Sequence, residues 1–303
     1  MARTTLINRL ERFPVVSSTN DVVAGWLTDG TPEVCVAVAD VQTRGRGREG
    51  RTWTAPPGAA LLLSLGFRPT WLEPDRAWRL AAIVSLVMAE AAEHVADVQQ
   101  GTIGLKWPND LVVLESSGRW RAEASARISE SEAPTQLSLQ KLAGVLGETS
   151  GLGTGDPRAI VGIGVNVDWN RRDFPDAIAG QMTSLSEIAP GPAVDRGRTE
   201  RRDVLLSAFI AGVETRVERL RAGFFDDEAW QGRQVTNGRP IRVELADGRT
   251  DVVMARRVDP VTGGLVVESA GIERTILSGE VRHVRIADPG PMTRPTANAT
   301  GAV

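Results

Sequence analysis

The sequence predicts an α+β protein: a large unit built on a mixed β-sheet with flanking helices, followed by a small β-barrel. Three observations predict it. Apolar, β-branched runs such as Val34–Val41, Ala60–Phe67 and Ala159–Val167 recur through the first part of the chain and read as strands. Arg76–Val98 and Asp203–Arg221 carry helical apolar spacing. From Gly232 the texture changes to short runs punctuated by Asn237-Gly238, Asp247-Gly248 and Gly263-Gly264, the turn chemistry of antiparallel hairpins.

Composition fits a soluble globular chain. The protein has 303 residues, 42% hydrophobic and 24% charged, ample for a buried core. A net charge of -3 and a pI near 5.6 exclude a strongly basic nucleic-acid footprint at whole-chain level. A single cysteine, Cys35, cannot form an intramolecular disulfide, and two histidines argue against a Cys/His zinc site. Apolar runs such as Ala59–Leu63 are too short to span a bilayer, and Met-Ala-Arg-Thr-Thr lacks a signal-like apolar core. A cytoplasmic, reduced protein without membrane contact is expected.

In chain order, Ala2–Val16 is short and mixed. Ser18-Thr19-Asn20-Asp21 has a capping-box outline, and Val22, Val23, Trp26 and Leu27 supply the helix behind it. Val34–Val41 is a strand, followed by a glycine–arginine loop over Gln42–Trp53. Pro56, Pro57 and Gly58 forbid a helix directly after that loop. Ala60–Phe67 is a buried strand and Arg76–Val98 the best helix. Gly104–Trp107 and Leu111–Leu114 are strand segments around a Pro108-Asn109-Asp110 turn. Glu115–Gln136, rich in Ser, Ala, Glu and Arg, reads as a mobile insertion. Leu137–Gly147 and Ala159–Val167 are strands, and Asp203–Arg221 is a second amphipathic helix. Ile241–Leu245, Val252–Arg256 and Leu265–Glu268 are strands of the small barrel. Asp288–Val303 has the composition of a disordered tail. The expected division is a catalytic unit over 1–231, a small barrel over 232–287 and a tail over 288–303.

Of 35 basic residues only Lys106 and Lys141 are lysine. In so arginine-biased a chain, a retained lysine hints that a compact ammonium is wanted. The loop Gln42–Trp53 holds Gly45, Gly47 and Gly50 in a G-x-G-x-x-G pattern, but a dinucleotide site needs a helix opening there. Its other positions are Arg44, Arg46, Arg48 and Arg51 against a single Glu49, a dense anion site in which glycine permits close backbone approach and guanidinium forks grip an anion. Such mutually repelling charges should order only when an anion arrives. Leu105–Leu111 presents Lys106, Asn109 and Asp110 at a strand end; read plainly, Pro-Asn-Asp is a turn and Trp107 is core. Lys141 opens the strand Lys141–Glu148, where Gly144 marks a close approach, and Val161–Val167 alternates glycine with apolar residues before Asn166. Each of these two strands, taken singly, also reads as tight packing.

Taken together, Ser18-Thr19-Asn20, Gln42 with Gly45–Arg51 and Trp53, Lys106–Asp110, Lys141–Leu146 with Glu148, and Gly162–Val167 resemble the biotin–protein ligases. These segments stand in the family's order, and the terminal barrel is similar to its SH3-like C-terminal domain. The resemblance implies a monofunctional ligase with a class II synthetase-like catalytic sheet. It implies activation of biotin with ATP and Mg²⁺ to biotinyl-5′-adenylate, then transfer of the biotinyl group to one lysine of a biotin carboxyl carrier domain, as of an acyl-CoA or pyruvate carboxylase. By similarity Ser18, Thr19 and Gln42 meet the ureido end of biotin, with Asn20 close by. Arg46, Gly47 and Arg48 line the carboxylate and phosphate region, Lys141 sits beside both, and Gly144 floors the biotin pocket. Trp53, Asn109 and Asn166 border the adenine, and Lys106, Asp110 and Arg51 either touch ATP or support residues that do. Lys141, Arg48 and Arg46 are the expected catalytic cations. The resemblance does not identify the Mg²⁺ ligands, and it implies no tightly bound prosthetic group. The catalytic motifs begin at Ser18, so no N-terminal DNA-binding module and no specific nucleic-acid partner are expected; a homodimer is open.

Rival readings are a lipoate–protein ligase, which shares the adenylate chemistry, a dinucleotide-dependent oxidoreductase, against which Pro56–Gly58 argue, and a nucleic-acid-binding regulator, against which the whole-chain acidity argues. The arginine-rich loop favours biotin over lipoate.

Overall fold

The computed structural model describes residues 6–114, 139–189 and 198–287. The expected insertion Glu115–Gln136 and tail Asp288–Val303 lie outside the described residues. The first sheet contains β1 (Arg9–Val16), β2 (Cys35–Gln42), β3 (Ala60–Phe67), β4 (Ile103–Lys106), β5 (Asp110–Leu114), β6 (Leu139–Ser150) and β7 (Arg158–Asn166). Its order is β1-β2-β3-β7-β6-β5-β4, with β1 parallel to β2 and every other pair antiparallel. β1 has no counterpart among the expected strands. It is an edge strand with alternate residues exposed, so its pattern is weak, and the edge tolerates Pro14.

Side-chain alternation assigns the two faces of this sheet. Val36 and Val38 of β2 join Leu61, Leu63 and Leu65 of β3 in the main core, against α2 (Trp78–Ala96) and the long helix α5 (Arg198–Arg221). Cys35 and Ala37 face the other way, onto Val23 and Leu27 of α1 (Thr19–Thr28). Helices therefore cover both faces. Between α2 and α5 the chain forms two single-turn helices, α3 (Asp176–Ala179) and α4 (Leu185–Ile188). α5 starts ahead of Asp203 because its charged first turns are anchored: Arg201 pairs with Asp168 and Arg202 with Asp40.

After α6 (Asp227–Gln231) the chain forms the second sheet from β8 (Arg239–Leu245), β9 (Thr250–Val258), β10 (Leu265–Ser269), β11 (Ile272–Ile276) and β12 (Val281–Ile286). The order is β11-β10-β9-β8-β12, all antiparallel, as expected for a small SH3-like domain. β11 and β12 lie in segments the expected strands leave out; β11 exposes charged Glu273 and Arg274 and buries only Ile276.

The two sheets are stitched together beside β4. Leu105 exchanges backbone hydrogen bonds with Arg233 (2.7 Å) and Val235 (2.9 Å), and the Trp107 amide donates to Thr236 Oγ1. Arg233 and Glu93 form a buried ion pair at 2.7 Å, and Glu93 also accepts from the amides of Gly101 and Ile103. A buried pair is tolerable when its remaining valences are met, as here. The network ties the end of α2, the start of β4 and the connection to the second sheet into one piece. It thereby sets the hairpin that carries Lys106 and Asp110.

Candidate active site

The pocket grows from the bare side of β6 and β7. In β7, Val161, Ile163 and Val165 point into the main core, so Gly162 and Gly164 fall on the opposite face, beside α1. A Cβ at Gly162 would lie 2.2 Å from Asn20 Oδ1, and one at Gly164 2.6 Å from the Trp53 ring. These glycines are bare because other side chains lie directly on them.

Lys141 and Gly144 stand three residues apart, which in a regular strand would put them on opposite faces. The register of β6 against β5 shifts here: Leu111 faces Ala143 while Val112 faces Lys141, so Leu142 is the extra residue of a β-bulge. The bulge returns Lys141 to the side of Gly144, where a Cβ would meet its Nζ at 3.1 Å. The strap Gln181–Thr183 pairs with Lys141 through both backbone groups and holds it in place.

The pocket encloses about 970 Å³ of empty space, part of it open to solvent. Ser18, Thr19, Asn20, Gln42, Arg46, Gly47, Arg48, Arg51, Trp53, Lys106, Asn109, Asp110, Lys141 and Gly144 all line it. Both lysines of this arginine-dominated chain are among them. Asn166 is the exception. It is fully buried, donates from Nδ2 to the Thr183 carbonyl at 3.0 Å and does not line the pocket; its Oδ1 has no partner. Alternation puts it on the face of Gly162 and Gly164, but there the strap that holds Lys141 covers it, so it lies under the strap and not at the pocket wall.

At one end lies a neutral polar array. Ser18 takes the N-cap position of α1, but its side chain makes no capping bond. The Thr19 amide and hydroxyl both donate to Gln42 Oε1, at 2.7 and 3.0 Å. Asn20 Nδ2 donates to Glu148 at 2.6 Å. Ser64 of β3, fully buried, lies 2.7 Å from Thr19 Oγ1 and 2.5 Å from Asn20 Oδ1. Sequence reasoning passed over Ser64, although a lone hydroxyl inside the apolar run Ala60–Phe67 is a signal of a buried polar contact.

The rest of the lining is cationic. Arg48, Arg51, Lys106, Lys141 and Arg282 line the pocket with one carboxylate, Asp110, and Arg46 lines it beside the polar array, where Glu148 contacts both Arg46 and Asn20. Lys141 Nζ lies 2.6 Å from Asp110 Oδ1, an ion-pair approach without hydrogen-bond alignment, and 5.5 Å from the Trp53 ring centroid. Burial pushes the Lys106 ammonium down from its ordinary value, with Asp110 opposing. Asn109 exchanges hydrogen bonds with the Val145 backbone, which fixes the hairpin tip against β6.

The arginine loop is a small hairpin: Arg46 bridges Thr52, and the amides of Gly47 and Trp53 return to the carbonyls of Arg51 and Gly45. Its charges find partners. Arg46 donates to Asp21 at 2.7 Å and to Glu148 at 3.3 Å, and the bond to Asp21 holds its guanidinium firmly protonated. Arg48 donates to the Ser278 and Val281 carbonyls and Arg51 to that of Arg282. The second sheet thus completes the pocket with Arg282, His283 and Val284, a contribution that nothing local in the sequence announces. His283 is driven down to about 4 by burial and by Lys106, Arg285 and Arg51. Its Nδ1 lies 3.3 Å from an Arg51 nitrogen and must accept there, because guanidinium only donates; the ring proton is on Nε2.

A chamber with hydrogen-bonding groups at one end and cations along the rest of its lining suits a small ligand with a neutral polar head and a carboxylate, together with a polyphosphate. This is the architecture of a carboxylate-activating ligase. Residues 12–168 match the model of the biotin/lipoate A/B protein ligase family, and the chain belongs to that family. The biotin–[acetyl-CoA-carboxylase] ligase of Mycobacterium tuberculosis is 30% identical over 280 residues, 91% of this chain and 90% of that protein. The bifunctional ligase/repressor BirA of Escherichia coli is 28% identical over 275 residues, 89% of this chain and 72% of that protein. Among solved structures, the biotin protein ligase of Aquifex aeolicus in complex with biotin and ATP matches with a TM-score of 0.68 at 25% identity, over 92% of this chain and 99% of that one. The family and fold read from the motifs are borne out.

Proposed function

We infer that the chain is a biotin–protein ligase, an ATP-dependent, AMP-forming enzyme. It joins the biotin carboxylate to the α-phosphate of ATP with release of pyrophosphate. It then passes the biotinyl group to a lysine of a carboxylase carrier domain with release of AMP. The observation that carries the reading is that one pocket holds both the Thr19–Asn20–Gln42 array and six cations. Biotin has a neutral ureido head and a carboxylate tail, and this polarity matches.

The chemistry asks for little beyond placement and charge. Carboxylate and triphosphate repel, so cations must hold both and meet the charge that grows on the α-phosphate. In this reading Lys141, beside the floor at Gly144, takes the space between biotin carboxylate and phosphate, and Arg46 and Arg48 close over it from the loop. Ser18, Thr19, Asn20 and Gln42 hold the ureido head, and Gly47 leaves its backbone open to the acyl group. Lys106, Arg51, Asn109, Asp110 and Trp53 belong to the nucleotide end, and Asn166 supports the strap beneath Lys141. The carboxylate oxygen attacks the α-phosphorus as the bond to pyrophosphate breaks. The carrier lysine, as the free amine, then attacks the acyl carbon, AMP leaves, and the amine proton passes to solvent. Mg²⁺ enters with the nucleotide as part of the substrate; among the described residues no group of three or more His, Cys, Asp or Glu is placed to hold a metal.

A catalytic unit over 1–231 and a C-terminal unit over 232–287 are the proposed division, which the presence of two separate sheets supports. An acyl-CoA or pyruvate carboxylase is the proposed source of the carrier domain, a homodimer is a proposed assembly, and the cytoplasm is the proposed site of action. Among the described residues no helix is long and apolar enough to cross a membrane. A dinucleotide site is disfavoured because the Gly45–Gly50 loop runs into a three-residue turn and then β3, with no helix to receive a pyrophosphate.

Calorimetry of biotin with and without Mg²⁺-ATP, on wild type and Lys141→Ala, tests the reading. The expected result is biotin binding, with added heat and pyrophosphate release that the variant lacks. Absence of biotin binding under every nucleotide condition overturns it.

A further inference from the structure

The hairpin that carries Lys106 and Asp110 has a cavity on each side. Lys106–Asp110 line the pocket, and the same five residues line a second, larger cavity of about 2340 Å³ of empty space, part of it open to solvent. The other walls of that cavity include α2 and the turn Thr262–Gly264 of the second sheet. A segment between two cavities depends on its hydrogen bonds for position. The backbone bonds of Leu105 and Trp107 fix the root of the hairpin, and Asn109 fixes its tip. A further bond crosses to the second sheet: the Trp107 indole N–H donates to the Gly263 carbonyl at 3.0 Å.

Gly263 belongs to the connection Asp259–Gly264 between β9 and β10, which is a closed unit. The Asp259 amide donates to the Gly264 carbonyl and the Gly263 amide to that of Asp259, both at 2.8 Å. The Asp259 carboxylate accepts from the Val261 amide and the Thr262 hydroxyl. The unit sits on the start of α2: Trp78 Nε1 donates to the Val261 carbonyl and Arg79 to that of Pro260, each at 3.3 Å. Gly263 has φ +69° and lies against the Trp78 ring, where a Cβ would come within 2.6 Å of Cδ2. The ring has no room to retreat, because Phe225 and Trp230 pack on it with centroids at 5.4 and 5.0 Å. Any side chain at 263 therefore moves the turn, and the carbonyl that holds Trp107 moves with it.

We propose that the turn Asp259–Gly264 braces the nucleotide end of the pocket, and that Gly263 is a positioning residue for ATP, acting through Trp107 on Lys106 and Asp110. The inference rests on the proposed assignment of Lys106, Asn109 and Asp110 to the nucleotide and deepens it. Gly263 itself does not line the pocket. α2 fixes the turn, the turn fixes the indole, and the indole fixes the hairpin. A hairpin held in place before ATP arrives has less freedom to lose on binding, so releasing it weakens ATP. Ser18, Thr19, Asn20 and Gln42 take no part in these contacts, so biotin should not respond.

The test uses full-length protein as wild type, Gly263→Ala, Trp107→Phe, the double variant and Gly271→Ala. The KM for ATP is read from pyrophosphate release at saturating biotin, and biotin affinity from calorimetry without nucleotide. Gly271 is the control: it lies between β10 and β11 with φ +78°, and a Cβ there meets nothing within 4 Å, so alanine brings the backbone strain alone. In Gly263→Ala the KM for ATP should rise about tenfold, the scale of one lost hydrogen bond, with biotin affinity within about twofold of wild type. Gly271→Ala should leave both unchanged. Trp107→Phe keeps a ring without the donor and should raise the KM for ATP alike, and the double variant should add nothing, because both changes cut one tether. An unchanged KM in Gly263→Ala, an equal rise in Gly271→Ala, a joint loss of biotin and ATP affinity, or additive effects in the double variant overturns the proposal. Where Gly263→Ala does not fold, Trp107→Phe decides alone, and a wild-type KM overturns the proposal. Wild type that releases no pyrophosphate from ATP and biotin overturns the functional reading itself, whereas a working wild type with an unresponsive Gly263 removes only the brace.

Discussion

Replacing Gly162 by alanine tests whether the floor of the pocket is bare for the reason the structure gives. The new Cβ would lie 2.2 Å from Asn20 Oδ1, 3.1 Å from Cγ and 3.3 Å from Nδ2. Ordinary carbon–oxygen contact is about 3.3 Å, so the amide must retreat by about 1 Å. Its bonds to Glu148 and Ser64, at 2.6 and 2.5 Å, do not survive that shift. Losing one charge-assisted and one neutral hydrogen bond costs about 2–4 kcal/mol, which at about 2 °C per kcal/mol lowers the melting temperature by about 4–8 °C. Biotin binding should weaken while ATP binding holds, because Asn20 belongs to the array and not to the cationic end. Gly147→Ala is the control: its Cβ would meet only Ala81 Cβ, at 3.9 Å, and should be neutral. Calorimetry and thermal melts of both variants decide the matter. A Gly162→Ala protein with wild-type melting and wild-type biotin affinity would refute the packing argument and the assignment of Asn20 together.

Three further outcomes follow from the same geometry. Lys141→Met removes the cation beside Asp110 and should slow adenylate formation, read as pyrophosphate release, by about 10²–10³-fold; the pair is partly exposed, so melting should change little, and a near-normal rate would sink the role. His283 titrates at about 4 in the folded chain against 6.5 ordinarily, so between those values the unfolded chain binds more protons and stability falls as pH drops. After allowance for partial exposure, that loss should be about 1–2 kcal/mol across the window and should vanish in His283→Gln, as read from denaturant melts at pH 7 and pH 4. Cys35 is fully buried and its thiol is pushed up to about 11, so it should resist maleimide at pH 8 in the native protein and react once unfolded; rapid native labelling would contradict its packing beneath α1.

Much of this protein is determined along the chain itself. β3 follows from local periodicity and from Pro56–Gly58, and the last residue of α5 from its apolar spacing, because alternation and turn chemistry act over a few residues. Fourteen of the fifteen expected site residues line one pocket; the arginine loop, the retained lysines and the strand glycines stand out as unusual choices for packing alone, whereas Ser18–Asn20, Gln42 and Asn109 were legible only through the family resemblance. What the tertiary structure decided are the relations that no local pattern contains. The bulge at Leu142 brings Lys141 round to Gly144, and that register shift exists only against β5. Asn166 shares the face of Gly162 and Gly164 but is covered by the strap, whose Thr183 carbonyl accepts from it. Ser64, spaced like any core residue of β3, becomes the hub of the polar array because α1 lays Thr19 and Asn20 over it. The second sheet closes the cationic end with Arg282 and His283, drawn there by backbone carbonyls that accept from Arg48 and Arg51. Carbonyls are common to every sequence, so only the folded chain reveals which ones an arginine will find.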